Sequence, residues 1–179
     1  MHDPALSTAQ HRELIEALAL SHVLPHDTLP VEECLGRRLS VDVFSLIPLP
    51  PFTNSAMDGF AVRREDLEGE GPWTLPVAGD IPAGDTRDNR LEKGQAWRIM
   101  TGALIPQGAD TVVKVEHTDH AAGVAQAPAT VEIRVAPKLG ENVRVAGEAL
   151  EAGAPVLKAG RILDGTALSA AASVGHGTL

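Results

Sequence analysis

The sequence predicts an α+β fold, predominantly β, in which a small mixed α/β lobe carries an inserted β-rich domain of short strands. Three observations predict it. Helical periodicity occurs near the two ends of the 179 residues, around Leu14, Ile15 and Leu18 and again from Gly165 to Val174. Between them lie short β-branched or alternating runs such as Asp110 to Glu116 and Val131 to Val135. The 17 glycines and 13 prolines cluster between these runs and follow no fixed period, as turns between many strands do. The expected division is residues 1–44 with 154–179 for the mixed lobe, and residues 45–153 for the β-rich insert.

The first helix is expected over residues 7–24. Ser7-Thr8-Ala9-Gln10 has capping-box spacing and Pro25 ends the segment. His11 and His22 on or near it are eleven apart, without metal-ligand spacing, and read as surface or packing residues. Pro30 to Gly36 reads as a short helix, with proline in its first turn, acids at its positive end and glycine at its close; Cys34 is core filler there. Leu39 to Val43 alternates as a half-buried strand.

The proline-rich stretch Ile47-Pro48-Leu49-Pro50-Pro51 is a stiff, extended approach. It delivers Asn54, Ser55, Asp58 and Gly59, turn-formers around Ala56-Met57, to a short strand Gly59-Phe60-Ala61-Val62. A hydroxyl, an amide and a carboxylate on one short loop suit a site better than a core. Arg63 to Pro72 is charged and reads as a solvated loop, followed by a strand over 73–78. Gly79 to Asp85 reads as a solvated glycine-bearing turn; the competing reading is that Asp80 and Asp85 share a hard cation.

Gln95 to Met100 is a strand entering Thr101-Gly102, a strand end where backbone N–H groups can be left to meet an anion. His117 to Thr130, with His120, reads as a hairpin tip between the strands on either side. Leu139 to Glu148 closes the β-rich part and places Arg144 and Glu148 beside glycines. Val156 to Lys158 and Gly160 to Leu163 flank a turn. Asp164 then caps a helix from Gly165 to Val174 that Gly175 closes.

Composition narrows the function. The formal net charge is −9, aromatics are 3% and tyrosine is absent, which argues against nucleic acid. One cysteine excludes an intrachain disulfide and fits a reducing, cytoplasmic compartment. No basic-then-apolar leader and no apolar run of about 20 residues is present, so no membrane is implied.

Three stretches together carry a family resemblance: Pro48 to Val62 with its Asn54-Ser55-Ala56-Met57-Asp58-Gly59 core, Arg98-Ile99-Met100-Thr101-Gly102-Ala103, and Asn142-Val143-Arg144-Val145-Ala146-Gly147-Glu148. In order and spacing the chain resembles the N-terminal half of the MoeA family, the molybdopterin molybdenumtransferases of molybdenum-cofactor biosynthesis. The resemblance implies an elongated homodimer whose molybdopterin-binding α/β domain lies beyond Leu179. It implies insertion of molybdate into adenylylated molybdopterin, assisted by Mg²⁺ and releasing AMP, with other molybdenum-cofactor biosynthesis proteins as possible partners. Under it Asp58 and Thr101 are catalytic, with Asp58 also the Mg²⁺ ligand. Asn54, Ser55, Arg144 and Glu148 bind substrate or oxyanion.

The chain departs from the family pattern at Thr53, usually Asp, at Phe60, usually Tyr, and at Ala149, usually Asp. The last change removes an acid from the expected cleft, and the opposite wall is expected in the missing domain, so the piece is expected to be inactive alone. Two other classes are consistent with the residues. One is a dimerisation or scaffold module in which the Asp58 loop is only a turn. The other is a hydrolase pairing Asp58 with Glu116 or Glu148, about 5–10 Å apart in a closed pocket.

Overall fold

In a computed structural model, residues 6–21, 25–121, 123 and 126–179 are described. Helix α1 spans Thr8–Ser21. Its capping box is reciprocal: the Ser7 N–H donates to Gln10 Oε1 at 2.9 Å, and the Gln10 N–H to Ser7 Oγ at 3.3 Å. Residues 22–24 of the expected helix, His22 included, lie outside the described residues. Helix α1 buries none of its residues; Leu14, Ile15 and Leu18 are exposed.

The mixed lobe draws its core from both ends of the chain. Cys34, Leu39 and Val43 pack with Leu157, Leu163, Ala167 and Ala171. Strand β1, Val43–Phe44, runs antiparallel to β9, Pro155–Leu157. Helix α2, Gly165–Ser173, begins where expected, with Asp164 Oδ1 accepting the Ala167 N–H at 2.7 Å. Two expectations shrink. The helix at Pro30 is a single 3₁₀ turn, Val31–Glu33, and the strand over 39–43 survives only from Val43. Leu39 is held instead to the 160–161 turn, its N–H donating to the Arg161 carbonyl and its carbonyl accepting the Gly160 N–H, around an isolated bridge between Arg38 and Ile162.

The β-rich part is a five-stranded mixed sheet. Strand β3 is Gly59–Val62, β4 Trp73–Ile81, β5 Ala96–Ile99, β6 Thr111–Lys114 and β7 Thr130–Ile133, in the order β6-β3-β5-β4-β7. Only the β4·β5 pair is parallel. Alternation sorts its side chains into two cores. Phe60, Val62, Val113, Val131 and Ile133 pack on one side, and Ala61, Ile81, Ile99 and Val112 on the other. Every residue of β3 is buried.

Three sequence readings change here. The segment 117–130 is not a simple hairpin tip, because β6 and β7 lie on opposite edges of the sheet. The sheet curls until the edges meet: the Asp119 N–H donates to the Glu132 carbonyl and the Arg134 N–H to the His117 carbonyl. The charged loop 63–72 contains a 3₁₀ turn, Arg64–Leu67, whose Leu67 is buried in the core. Gly79, Asp80 and Ile81 belong to β4 rather than to a turn. Asp80 takes a two-pronged ion pair from Arg98 on β5, at 2.7 and 2.6 Å, and Asp85 takes another from Arg87. Each acid is already neutralised by its own arginine, so they do not form the cation site weighed above.

Candidate functional site

Two very short strands join the three motifs. Strand β2, Asn54–Ser55, pairs antiparallel with β8, Val143–Arg144, putting Asn54 opposite Arg144 and Ser55 opposite Val143. On the other flank the Ser55 N–H donates to the Ala103 carbonyl, and the Gly102 N–H to the Ser55 carbonyl. The Thr101 turn and the Arg144 strand thus lie on either side of the same two residues.

The loop then delivers Asp58, whose carbonyl accepts the Val115 N–H at 3.0 Å. Close approach continues at Gly59, where any Cβ would run into the Val113 carbonyl of β6. Asp58 is exposed, and one carboxylate oxygen, Oδ1, accepts both the backbone N–H and the hydroxyl of Thr101, each at 2.7 Å. The Thr101 N–H, then its hydroxyl, hold the Asp58 carboxyl below the usual aspartate range, against the smaller opposing effect of burial. Among the described residues no hydrogen bond reaches Oδ2, which is left to face solvent or a ligand. A shallow pocket behind the loop is walled by Phe60, Arg98, Met100, Val115 and His120, the His120 ring lying 5.9 Å from that of Phe60.

The other expected site residues divide. Arg144 is exposed, and no described group bonds its guanidinium. Asn54 and Ser55 point their polar groups into the loop itself: Asn54 Nδ2 donates to the Phe52 carbonyl, and the fully buried Ser55 hydroxyl to the Met57 carbonyl at 2.6 Å. Glu148 caps its own turn by accepting the Val145 N–H at 2.9 Å. The Thr101 turn is no free anion nest, because the N–H groups of Thr101, Gly102 and Ala103 are all spent on Asp58, Ser55 and Met100.

The departures have local accounts. Thr53 Oγ1 accepts the Ala146 N–H, tying the proline-rich approach to the β8 turn. Phe60 is buried, whereas Ala149 is exposed. Among the described residues no second carboxylate lines the Asp58 pocket, and Asp58 sits on an open face, so the paired-acid hydrolase fails. Among the described residues no group of three or more His, Cys, Asp or Glu is placed to hold a metal ion, and no helix is long and apolar enough to cross a membrane.

Asn142 stands in the third motif, but the sequence assigns it no role. It has φ +60°, its Nδ2 donates to the Val112 carbonyl at 2.9 Å, and its own carbonyl accepts the Ala56 N–H at 2.9 Å. The available signal was an asparagine two residues after Gly140, since asparagine tolerates the left-handed region.

Residues 6–175 match the family model described as MoeA N-terminal region (domain I and II). A molybdopterin molybdenumtransferase 2 of Mycobacterium tuberculosis is 44% identical over 151 residues, covering 83% of this chain and 36% of that protein. A molybdopterin molybdenumtransferase of Staphylococcus epidermidis is 34% identical over 169 residues, covering 92% and 39%. Among solved structures, the molybdopterin biosynthesis MoeA protein of Pyrococcus horikoshii superposes with a TM-score of 0.81 at 30% identity, over 94% of this chain and 42% of that one. The chain therefore spans well under half the length of these relatives.

Proposed function

Because this chain belongs to the MoeA family, matching its N-terminal region, we propose that it supplies one wall of a site at which molybdate is inserted into adenylylated molybdopterin, releasing AMP. The observation that carries this is the exposed Asp58 carboxylate, oriented by two Thr101 donors, on a loop whose neighbouring strand presents an unengaged Arg144. A guanidinium fork suits molybdate or phosphate oxygens. A carboxylate kept ionised suits a cation or a polarised water. The residues fit Mg²⁺ in one respect: Asp58 Oδ2 can take one coordination position of a hard cation that draws its other ligands from substrate phosphate and water. Bound there, the cation would neutralise phosphate charge. What this chain itself does is hold the carboxylate and present the arginine.

The remaining wall belongs to another domain, in a cytoplasmic homodimer. Residues 1–44 with 154–179 act as the supporting lobe, and 45–153 as the domain facing the cleft. Asn54, Ser55 and Glu148 shape the wall from within, through the bonds described above. Those inward bonds also favour a second reading, a non-catalytic dimerisation or scaffold module of the same pathway.

The test is AMP release from adenylylated molybdopterin in the presence of molybdate. The full-length protein containing this chain is expected to be active, and the isolated chain inactive. Asp58→Asn in the full-length protein is expected to cut the rate about a hundredfold, the scale for losing one preorganised electrostatic group. An Asp58→Asn protein with undiminished insertion and normal dimerisation would establish the scaffold reading. AMP release by the isolated chain would overturn the half-site assignment.

A further inference from the structure

We infer that Asn142 is a positioning residue that sets the Asp58 loop against the Arg144 strand, an inference that rests on the reading of that loop as a substrate wall. Among the described non-glycine residues it alone has a left-handed backbone, at φ +60°. That conformation turns the chain from its attachment to β6 into β8. The attachment is threefold: the Gly140 N–H donates to Thr111 Oγ1, the Val112 N–H to the Glu141 carbonyl, and Asn142 Nδ2 to the Val112 carbonyl. Its own carbonyl then holds the Ala56 N–H, in the middle of the loop.

The loop is thereby fixed at three points. The Ser55 backbone is bonded to the Thr101 turn, Ala56 to Asn142, and the Asp58 carbonyl to Val115 just beyond β6. Asn142 links the second and last of these supports: its carbonyl holds Ala56, and its amide holds Val112 on the strand that leads to Val115. Arg144 is only two residues on, paired with Asn54. This residue, through its carbonyl and its amide together, therefore governs the relative placement of the carboxylate proposed to hold a cation or water and the arginine proposed to receive the oxyanion.

Two replacements separate backbone from amide. Asn142→Gly keeps the left-handed conformation and deletes the donor. Asn142→Asp keeps the shape and sets a carboxylate against the Val112 carbonyl. The readout that mere destabilisation does not move is the pair of backbone amide resonances of Ala56 and Arg144, followed by NMR. Both variants are expected to shift them, because the Asn142 carbonyl holds the Ala56 N–H and Arg144 lies two residues on. Leu163→Ala, a core truncation in the mixed lobe, is expected to lower the melting temperature and leave both resonances in place. Unmoved Ala56 and Arg144 amides in both Asn142 variants overturn the inference.

In the full-length protein, Asn142→Gly is expected to lower kcat for AMP release by about tenfold, the scale of a small misplacement of reacting groups. Shifted Ala56 and Arg144 amides with unchanged kcat would uphold the positioning role while removing the functional reading on which its importance rests.

Discussion

Replacing Thr101 by Val removes one of the two hydrogen bonds to Asp58 Oδ1 and retains the other, since the backbone N–H remains. A hydrogen bond to an ionised acceptor is worth about 1.5–3 kcal/mol where water is excluded. Both residues are exposed, so water competes and screens, and the expected loss is about 1 kcal/mol. For a chain of this size that lowers the melting temperature by about 2–4 °C. The pH dependence identifies the source. The folded-state value of Asp58 lies below the ordinary 3.8, so its stabilising contribution is complete above 3.8 and disappears as pH falls through the folded value. The gap between wild type and Thr101→Val should therefore be full near neutral pH and close in acid. Thermal unfolding by circular dichroism across that range measures it, and the Asp58 titration should rise in the variant. A gap that persists unchanged below the folded-state titration, or an Asp58 titration that does not move, would refute the assignment of the low value to Thr101.

Three further outcomes are expected from the fold. Asp164→Ala removes the N-cap of α2 and should cost about 1 kcal/mol in urea unfolding, with Asp164→Asn recovering most of it. Gly59→Ala drives a methyl into the Val113 carbonyl, and the expected result is a chain that fails to give a cooperative thermal transition; a stable Gly59→Ala protein would show that β3 and β6 are farther apart than described. Arg98→Leu strands the half-buried Asp80 carboxylate and should cost about 2 kcal/mol. That is below the 3–5 kcal/mol of a fully buried pair, since Asp80 keeps partial access to water. Adding Asp80→Asn should restore part of the loss.

Local signals in the sequence located the elements whose causes are local. Asp164 announces α2 because an N-cap acts over three residues, and Gly59 to Val62 reads as a strand because its apolar residues run between turn-formers. Strand β4 runs on through Gly79-Asp80-Ile81 for a reason no local pattern contains: Asp80 meets an arginine on β5, and Ile81 is wholly buried against it. The connection from β6 to β7 was misread because sequence proximity favours a hairpin. The apolar faces of β4 and β7 make the better pair. In the site, Asp58 and Thr101 were legible through the family motif, and their hydrogen bond joins positions 43 apart. The β2·β8 pairing was not, since two-residue strands carry no periodicity. The inward turn of the Ser55 hydroxyl was equally hidden: it follows from the complete burial of Ser55, which requires a partner for the hydroxyl.

Arg144 offers the sharpest separation of function from stability. Its guanidinium is exposed and bonded to no described group, so Arg144→Ala should leave stability within about 0.5 kcal/mol. Its backbone pairing with Asn54 does not depend on the side chain. If the arginine receives a tetrahedral oxyanion, removing it should weaken use of molybdate in the full-length protein. A single charge-assisted contact of about 1.5–3 kcal/mol corresponds to a loss of roughly ten- to hundredfold in kcat/KM. Arg144→Lys should recover only part of that, because an ammonium keeps the charge and loses the planar two-donor fork. The loss should also shrink as ionic strength rises, since an exposed charge is screened. Equal kcat/KM for wild type, Arg144→Ala and Arg144→Lys would remove the arginine from the site and leave Asp58 and Glu148 as the charged residues assigned to the wall.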